Sequence, residues 1–264
     1  MPRLRREERG SLSEMLELNK IYNMDCIEGM KRIPDKSIDM ILCDLPYGTT
    51  ACKWDTIIPF EPLWEQYERV IKDNGAIVLT ARQPFTSLLI TSNLKLFRQT
   101  WVWDKVISTN FMNARKMHIQ GFEDVVVFYK RLPTYNPQME EGEPYKDNRS
   151  IPHRTKTEAL GSRAPYQPQD NKGVRYPRGI VRFSARNNSP LHPTQKPVEL
   201  FEYFIKTYTN EGDLVLDNCM GSGTTAIACI NTGRNFIGFE IDKHYCDIAN
   251  ERIRKAIAEK EVGE

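Results

Sequence analysis

Two hydrophobic periodicities alternate along this chain from about residue 19. Short apolar runs, "KIYNMDC" and "SIDMILCDL", predict strands, and "EPLWEQYERVIKDNG" repeats its apolar positions at helical spacing, with Gly75 placed to end the helix. "AIVLTA" predicts a buried strand, "QPFTSLLITSN" a helix, and "RQTWVWDK" and "EDVVVFYK" two more strands. Further on, "PVELFEYFIKTYTNEG", "TTAIACINTG" and "KHYCDIANERIRKAIAEK" predict helices around the strands "DLVLDNC" and "RNFIGFEID". Strands interleaved with helices imply an α/β sandwich around a largely parallel sheet.

Residues 131–190 break this rhythm. They hold eight of the 16 prolines and show little apolar periodicity, which predicts a long irregular insertion. Charge sharpens the picture: the stretch has eleven Lys+Arg against six Asp+Glu, so it carries +5, and the remainder carries −3. Tyr135, Tyr145, Tyr166, Tyr176 and Phe183 lie among those bases, a mixture suited to phosphate contacts and base stacking. The densest basic run is Arg175, Arg178, Arg182 and Arg186. The expected organisation is a flexible N-terminus (1–18), two parts of one domain (19–130 and 191–264) and the insertion between them.

Composition excludes several classes. No apolar stretch approaches the roughly 18 residues of a membrane span. The charged start "MPRLRREERGSLSEM" lacks a secretory apolar region, so the cytoplasm is the expected compartment. Six cysteines without a C-x-x-C pair, and four histidines without H-E-x-x-H, give no basis for a metal site.

Two stretches carry candidate chemistry. "DLPYG" (44–48) ends an apolar strand on an acid, a proline and an aromatic ring. "LVLDNCMGSGTTAIAC" puts Gly221 and Gly223 between a strand and a helix, where glycines allow a tight turn and the helix start offers free N–H groups. The following strand ends in Glu240, where nucleotide-binding α/β folds place an acid for ribose hydroxyls. A dinucleotide is one reading, with Ala226 in place of the third glycine of G-x-G-x-x-G. Asp217, ahead of the glycines, suits a cationic amino-acid tail better than a pyrophosphate, which favours S-adenosylmethionine.

Together, "DLPYG", "LDNCMGSGTT" and "HPTQKP" (192–197) resemble the motifs of the amino-methylating DNA methyltransferases, and their order is similar to that of the permuted beta group, over roughly residues 19–255. The resemblance implies a Rossmann-like methyltransferase sandwich with permuted motifs and a DNA-recognition insertion. It implies S-adenosylmethionine as cofactor and double-stranded DNA as partner, and leaves room for a homodimer and a restriction endonuclease partner. By the same resemblance, the Asp44 carboxylate and the Leu45 carbonyl accept the two hydrogens of an exocyclic amine, Pro46 stiffens the turn and Tyr47 stacks on the base. Asp25, Thr194, Lys196, Asp217, Cys219, Gly221, Ser222, Gly223, Thr224 and Glu240 are the implied cofactor residues, and the four arginines the implied DNA contacts.

The expected reaction is methyl transfer to adenine N6 of a base flipped out of the duplex. Asp rather than Ser at the first catalytic position leans towards adenine over cytosine N4. RNA or protein-amide methylation, and a non-catalytic DNA-binding scaffold, are the alternatives. Leu45 departs from the family's first proline, Cys219 from its phenylalanine, and Phe122, before Glu123, from the histidine of its His-Glu pair.

Overall fold

The computed structural model describes residues 16–50, 52, 55–109, 111–147, 169–186 and 195–263. In chain order the elements are β1 (Lys20–Asn23), α1 (Cys26–Met30), β2 (Ile38–Asp44), α2 (Phe60–Val70), β3 (Ile71–Ala81), α3 (Phe85–Ser92), β4 (Phe97–Thr109) and β5 (Gln120–Phe128). They continue as β6 (Glu140–Glu141), β7 (Val174–Arg175), β8 (Ile180–Arg182), α4 (Val198–Tyr208), β9 (Leu214–Asp217), α5 (Thr224–Thr232), β10 (Asn235–Glu240) and α6 (Lys243–Gly263).

Eight strands form one sheet in the order β1-β10-β9-β2-β3-β5-β4-β8. The first five are parallel, β5 is antiparallel to both β3 and β4, and β8 is parallel to β4. Alternate side chains of a strand face opposite ways, and both faces here are covered. Met40, Leu42, Ala76 and Val78 pack with Leu200, Phe201 and Phe204 of α4, Ala228 of α5 and Ala249 of α6. Ile41, Cys43, Ile77 and Leu79 pack with Met30 of α1, Leu63, Trp64 and Tyr67 of α2, and Phe85 and Leu89 of α3. This is the three-layer α/β sandwich expected from the sequence.

The chain divides into two compact units, one up to Asn136 and from Gly179 onward, the other Pro137–Arg178. The expected insertion, 131–190, is therefore narrower at both ends. Asn136 belongs to the main unit because its N–H donates to the Thr207 carbonyl (2.8 Å) and its amide to those of Lys206 and Thr209 at the end of α4. At the other end β8 adds to the sheet edge and buries Val181, while the Trp103 indole donates to the Phe183 carbonyl at 2.8 Å. Nor is the smaller unit wholly irregular: β6 pairs with β7, and Tyr145 bridges Asn171. Such pairing between distant residues leaves no local periodicity in sequence.

Two local expectations are corrected. The first strand stops at Asn23, and Asp25 caps the short helix α1 by accepting from the N–H groups of Ile27 and Glu28. Helix α2 ends at Val70 rather than running to Gly75, since Ile71 is already extended (ψ 137°). Gly75 lies inside β3 beside a register irregularity, where an added Cβ would sit 2.7 Å from the Asp39 carbonyl. The Ile71 side chain lies equally close, at 2.7 Å, but the Asp39 carbonyl is backbone and cannot swing aside, so Gly75→Ala should lower unfolding stability by about 1–3 kcal/mol; urea titration of the two proteins measures it.

Candidate active site

Asp44, the last residue of β2, lies in register with Thr80 of β3. Its Oδ1 accepts hydrogen bonds from the Tyr47 hydroxyl (2.8 Å) and the Thr80 hydroxyl, and its Oδ2 accepts from the Lys196 ammonium at 2.7 Å. A carboxylate oxygen offers two lone pairs. Oδ1 is thus saturated and, among the described residues, Oδ2 keeps one acceptor position.

Lys196 is buried, and its ammonium also lies 3.4 Å from Oε2 of Glu123, an ion pair without hydrogen-bond geometry. The other oxygen of Glu123 pairs with the equally buried Lys105 of β4. Burial disfavours the Lys196 ammonium, but the Asp44 and Glu123 carboxylates outweigh that and raise its pKa above the ordinary lysine value. Two acids and two bases thus form one electrically balanced cluster, and Lys105 fills the partner role beside Glu123. Sequence reasoning missed Thr80 and Lys105, because a threonine and a lysine within strands carry no local signal of chemistry.

Tyr47 stacks on Phe85 with ring centroids 5.2 Å apart, and the Lys196 ammonium lies 5.3 Å from its centroid. Burial, with the charges of Asp44 and Glu123, holds its phenol well above the usual tyrosine range. Leu45 points into the core shared with α1–α3 and anchors the turn by apolar packing. Beyond the turn, Asp55 accepts from three consecutive backbone N–H groups, Gly48, Thr49 and Thr50, at 2.8, 2.9 and 2.6 Å. Burial works against that carboxylate, but these bonds and the Thr50 hydroxyl prevail and lower its pKa.

The glycine loop stands on the neighbouring strand. Gly221 and Gly223 take left-handed conformations, φ 54° and 88°, which an L side chain adopts only under strain. The loop is tied down on several sides: Gly221 N–H donates to Oε2 of Glu240 (2.7 Å), Met220 N–H to the Phe239 carbonyl (2.9 Å), and Arg252 of α6 to the Ser222 carbonyl (2.6 Å). Thr224 opens α5, and Cys219 packs partly buried against the second core. Asp217, at the end of β9, accepts from Cys219 N–H at 2.9 Å and from the Thr225 hydroxyl.

Burial pushes the Asp217 carboxyl up to about 6 against 3.8, despite the bonds from Thr225, Cys219 and the Cys43 thiol, and the nearby Asp44 charge adds to the shift. Burial likewise raises Glu240. Two buried acids thus flank the glycine backbone, a chemistry that could hold a ligand with a cationic end and sugar hydroxyls.

Other expected site residues fall as follows. Asp25 spends one carboxylate oxygen, Oδ1, on both capping bonds. Thr194 lies outside the described residues. Arg175 is committed inside the smaller unit, to Asn171, to the Glu143 carbonyl and over the Tyr145 ring at 4.8 Å. Arg178 lies 3.9 Å from Glu140, Arg182 pairs with Asp104 at 3.2 Å, and Arg186 is exposed, with its backbone N–H on the Ser184 hydroxyl. Among the described residues no cluster of His, Cys, Asp or Glu fits a metal ion, and no helix is long and apolar enough to cross a membrane.

The raised Asp217 pKa fixes a pH dependence. The proton that the folded state holds more tightly stabilises the fold fully below about pH 3.8, and that gain is lost as pH rises through about 6. Asp217→Asn removes the titration, so its urea midpoint should fall less than that of the unaltered protein between about pH 5 and pH 8.

Comparison with known proteins agrees with this geometry. A family model described as DNA methylase, for N6 and N4 methyltransferases, matches residues 38–251. The type II methyltransferase M1.MboII of Moraxella bovis is 28% identical over 89% of this chain and 96% of its own length. The DNA adenine methyltransferase YhdJ of Escherichia coli (strain K12) is 29% identical over 90% of this chain and 83% of its own. Among solved structures, the M1.HpyAVI–SAM complex superposes with a TM-score of 0.60 at 25% identity, covering 88% of this chain and 98% of that one. The PvuII cytosine-N4 methyltransferase shares the fold, with a TM-score of 0.63 at 17% identity over 92% and 93% of the two chains. With a family match that spans most of its length and takes in both the Asp44 turn and the glycine loop, the chain belongs to the N6/N4 DNA methylase family.

Proposed function

We propose that this protein transfers a methyl group from S-adenosylmethionine to adenine N6 at a defined sequence in duplex DNA. The observation that carries the reading is the Asp44 carboxylate, held on three sides with one acceptor position left on Oδ2. An exocyclic amine is a poor nucleophile because its lone pair is delocalised into the ring. A hydrogen bond to Asp44 Oδ2, and a second to the Leu45 carbonyl, draw that pair back onto nitrogen. The Lys196 ammonium pairs with Asp44 Oδ2, and Glu123 offsets the lysine's charge, so the positive charge developing on the amine meets a balanced cluster. Asp44 Oδ2 then takes the proton that the methylated amine releases.

The cofactor supplies a methyl group already activated on a sulfonium, so the protein's task is positioning in a site that excludes water. Asp217 and Glu240 are the residues suited to its amino group and ribose, and Lys196 serves the catalytic acid beside it. Adenine is favoured over cytosine by Asp44 at the first catalytic position, and the Escherichia coli relative is named an adenine methyltransferase. Arg178, Arg182 and Arg186 are the arginines best placed for phosphate contact, since Arg175 is tied up within its own unit.

Labelled S-adenosylmethionine and unmethylated duplex DNA test the reading, with digestion to nucleosides. N6-methyladenine is the expected product, and N4-methylcytosine alone would sink the adenine assignment. Asp44→Ala should cut transfer by about 10²–10⁴-fold, the range for a positioned proton acceptor, with cofactor affinity retained. Neutralising Arg178, Arg182 and Arg186 should flatten the dependence of log affinity on log salt by about 0.9 for each phosphate that is no longer paired with a base.

A further inference from the structure

The hairpin joining β4 to β5 takes no part in the chemistry above, yet it is tethered to the catalytic cluster at both ends. It departs after Lys105 and returns just before Glu123, the two residues paired to each other. Strand β5 runs antiparallel to β3, with Val125 beside Thr80 and Asp124 beside Ala81. The hairpin therefore projects past the carboxyl ends of the parallel strands, the end on which Asp44 lies.

Its composition differs from that of a solvated loop. Met112 is 97% exposed and Phe111 68%, and Met117 and Phe122 are exposed as well. Between residues 105 and 122 there is no acid, whereas Arg115, Lys116 and His118 all stand exposed near the apolar tip. The backbone is also set at an angle. Asp104 faces Phe122 and Thr109 faces Gln120, so residues 105–108 stand opposite Gly121 alone, a bulge of the kind that re-aims a strand. Within it the β-branched Val106 is held at φ 67° by a 2.9 Å bond from its N–H to Asp104 Oδ1.

An apolar tip flanked by bases and free of acids fits a polyanion whose interior is a stack of apolar faces. Resting on the DNA-methylation reading, we infer that this hairpin is the wedge that opens the duplex. Phe111 and Met112 enter the stack at the step beside the target and fill the space the base vacates, while Arg115 and Lys116 meet the flanking phosphates. Turning a base out costs unstacking and pairing energy, and apolar wedges offset that cost in proteins that kink or open DNA.

The test compares the unaltered protein with the double variant Phe111→Ala, Met112→Ala. Two duplexes carry the methylation site, first located by sequencing methylated DNA: one fully paired, the other with an abasic position opposite the target base. The wedge predicts a loss of at least about tenfold in kcat/KM on the paired duplex, and near-normal transfer on the abasic one, where no pair has to be broken. Equal loss on both duplexes, or loss on neither, would overturn the wedge alone. No transfer by the unaltered protein to either duplex would overturn the methylation reading and the wedge with it. A dimer that the double variant fails to form in sedimentation would assign the tip to a second copy of the chain instead.

Discussion

The burial of the Lys196 ammonium between Asp44 and Glu123 is the constraint on which the site depends. A charge taken out of water costs several kcal/mol unless it is paired at close range. Pairing at 2.7 Å and 3.4 Å requires that β2, β5 and the segment leading into α4 be correctly placed at once. Lys105 extends the requirement to β4. Residues about 150 apart in the chain are thereby joined, and the Asp44 turn is coupled to the part of the chain that carries the glycine loop.

Sheet order explains why the two halves meet. From β2 the chain moves outward through α2 to β3, and from β9 it moves the other way through α5 to β10. Strands β2 and β9 are neighbours, so connections diverge between them, and in open α/β sheets such a divergence creates the ligand crevice at the carboxyl ends of the strands. Asp44 ends one of these strands and Asp217 the other. Their mutual repulsion contributes to the raised Asp217 pKa. The permuted order of the motifs leaves this geometry intact, because adjacency in the sheet, rather than order along the chain, brings the groups together.

Position along one strand pair separates chemistry from substrate opening. Glu123 lies at the point where β5 leaves the balanced cluster, and one residue earlier Phe122 is exposed. The buried side of the hairpin base holds charge, and its far end presents apolar side chains and bases to solvent. A single bulge accommodates both demands.

The sequence by itself determined the strand and helix alternation, the parallel core and the residues of the two principal motifs, since each depends on local periodicity or on residue types a few positions apart. Asp44, Asp217, Gly223 and Glu240 were legible because they stand at element boundaries, where an acid or a glycine has few other reasons to follow an apolar run. Tertiary structure alone decided the rest. The end of α2 at Val70 follows from Ile71 being extended and paired with Ile38 of β2, a contact between strands that the helical pattern cannot register. The ends of the insertion moved inward because Asn136 and β8 bond to distant elements. Thr80, Lys105 and the position of Lys196 became readable only when β2, β3, β4 and β5 lay side by side, because a buried ion pair is defined by its partners and those partners are far apart in sequence.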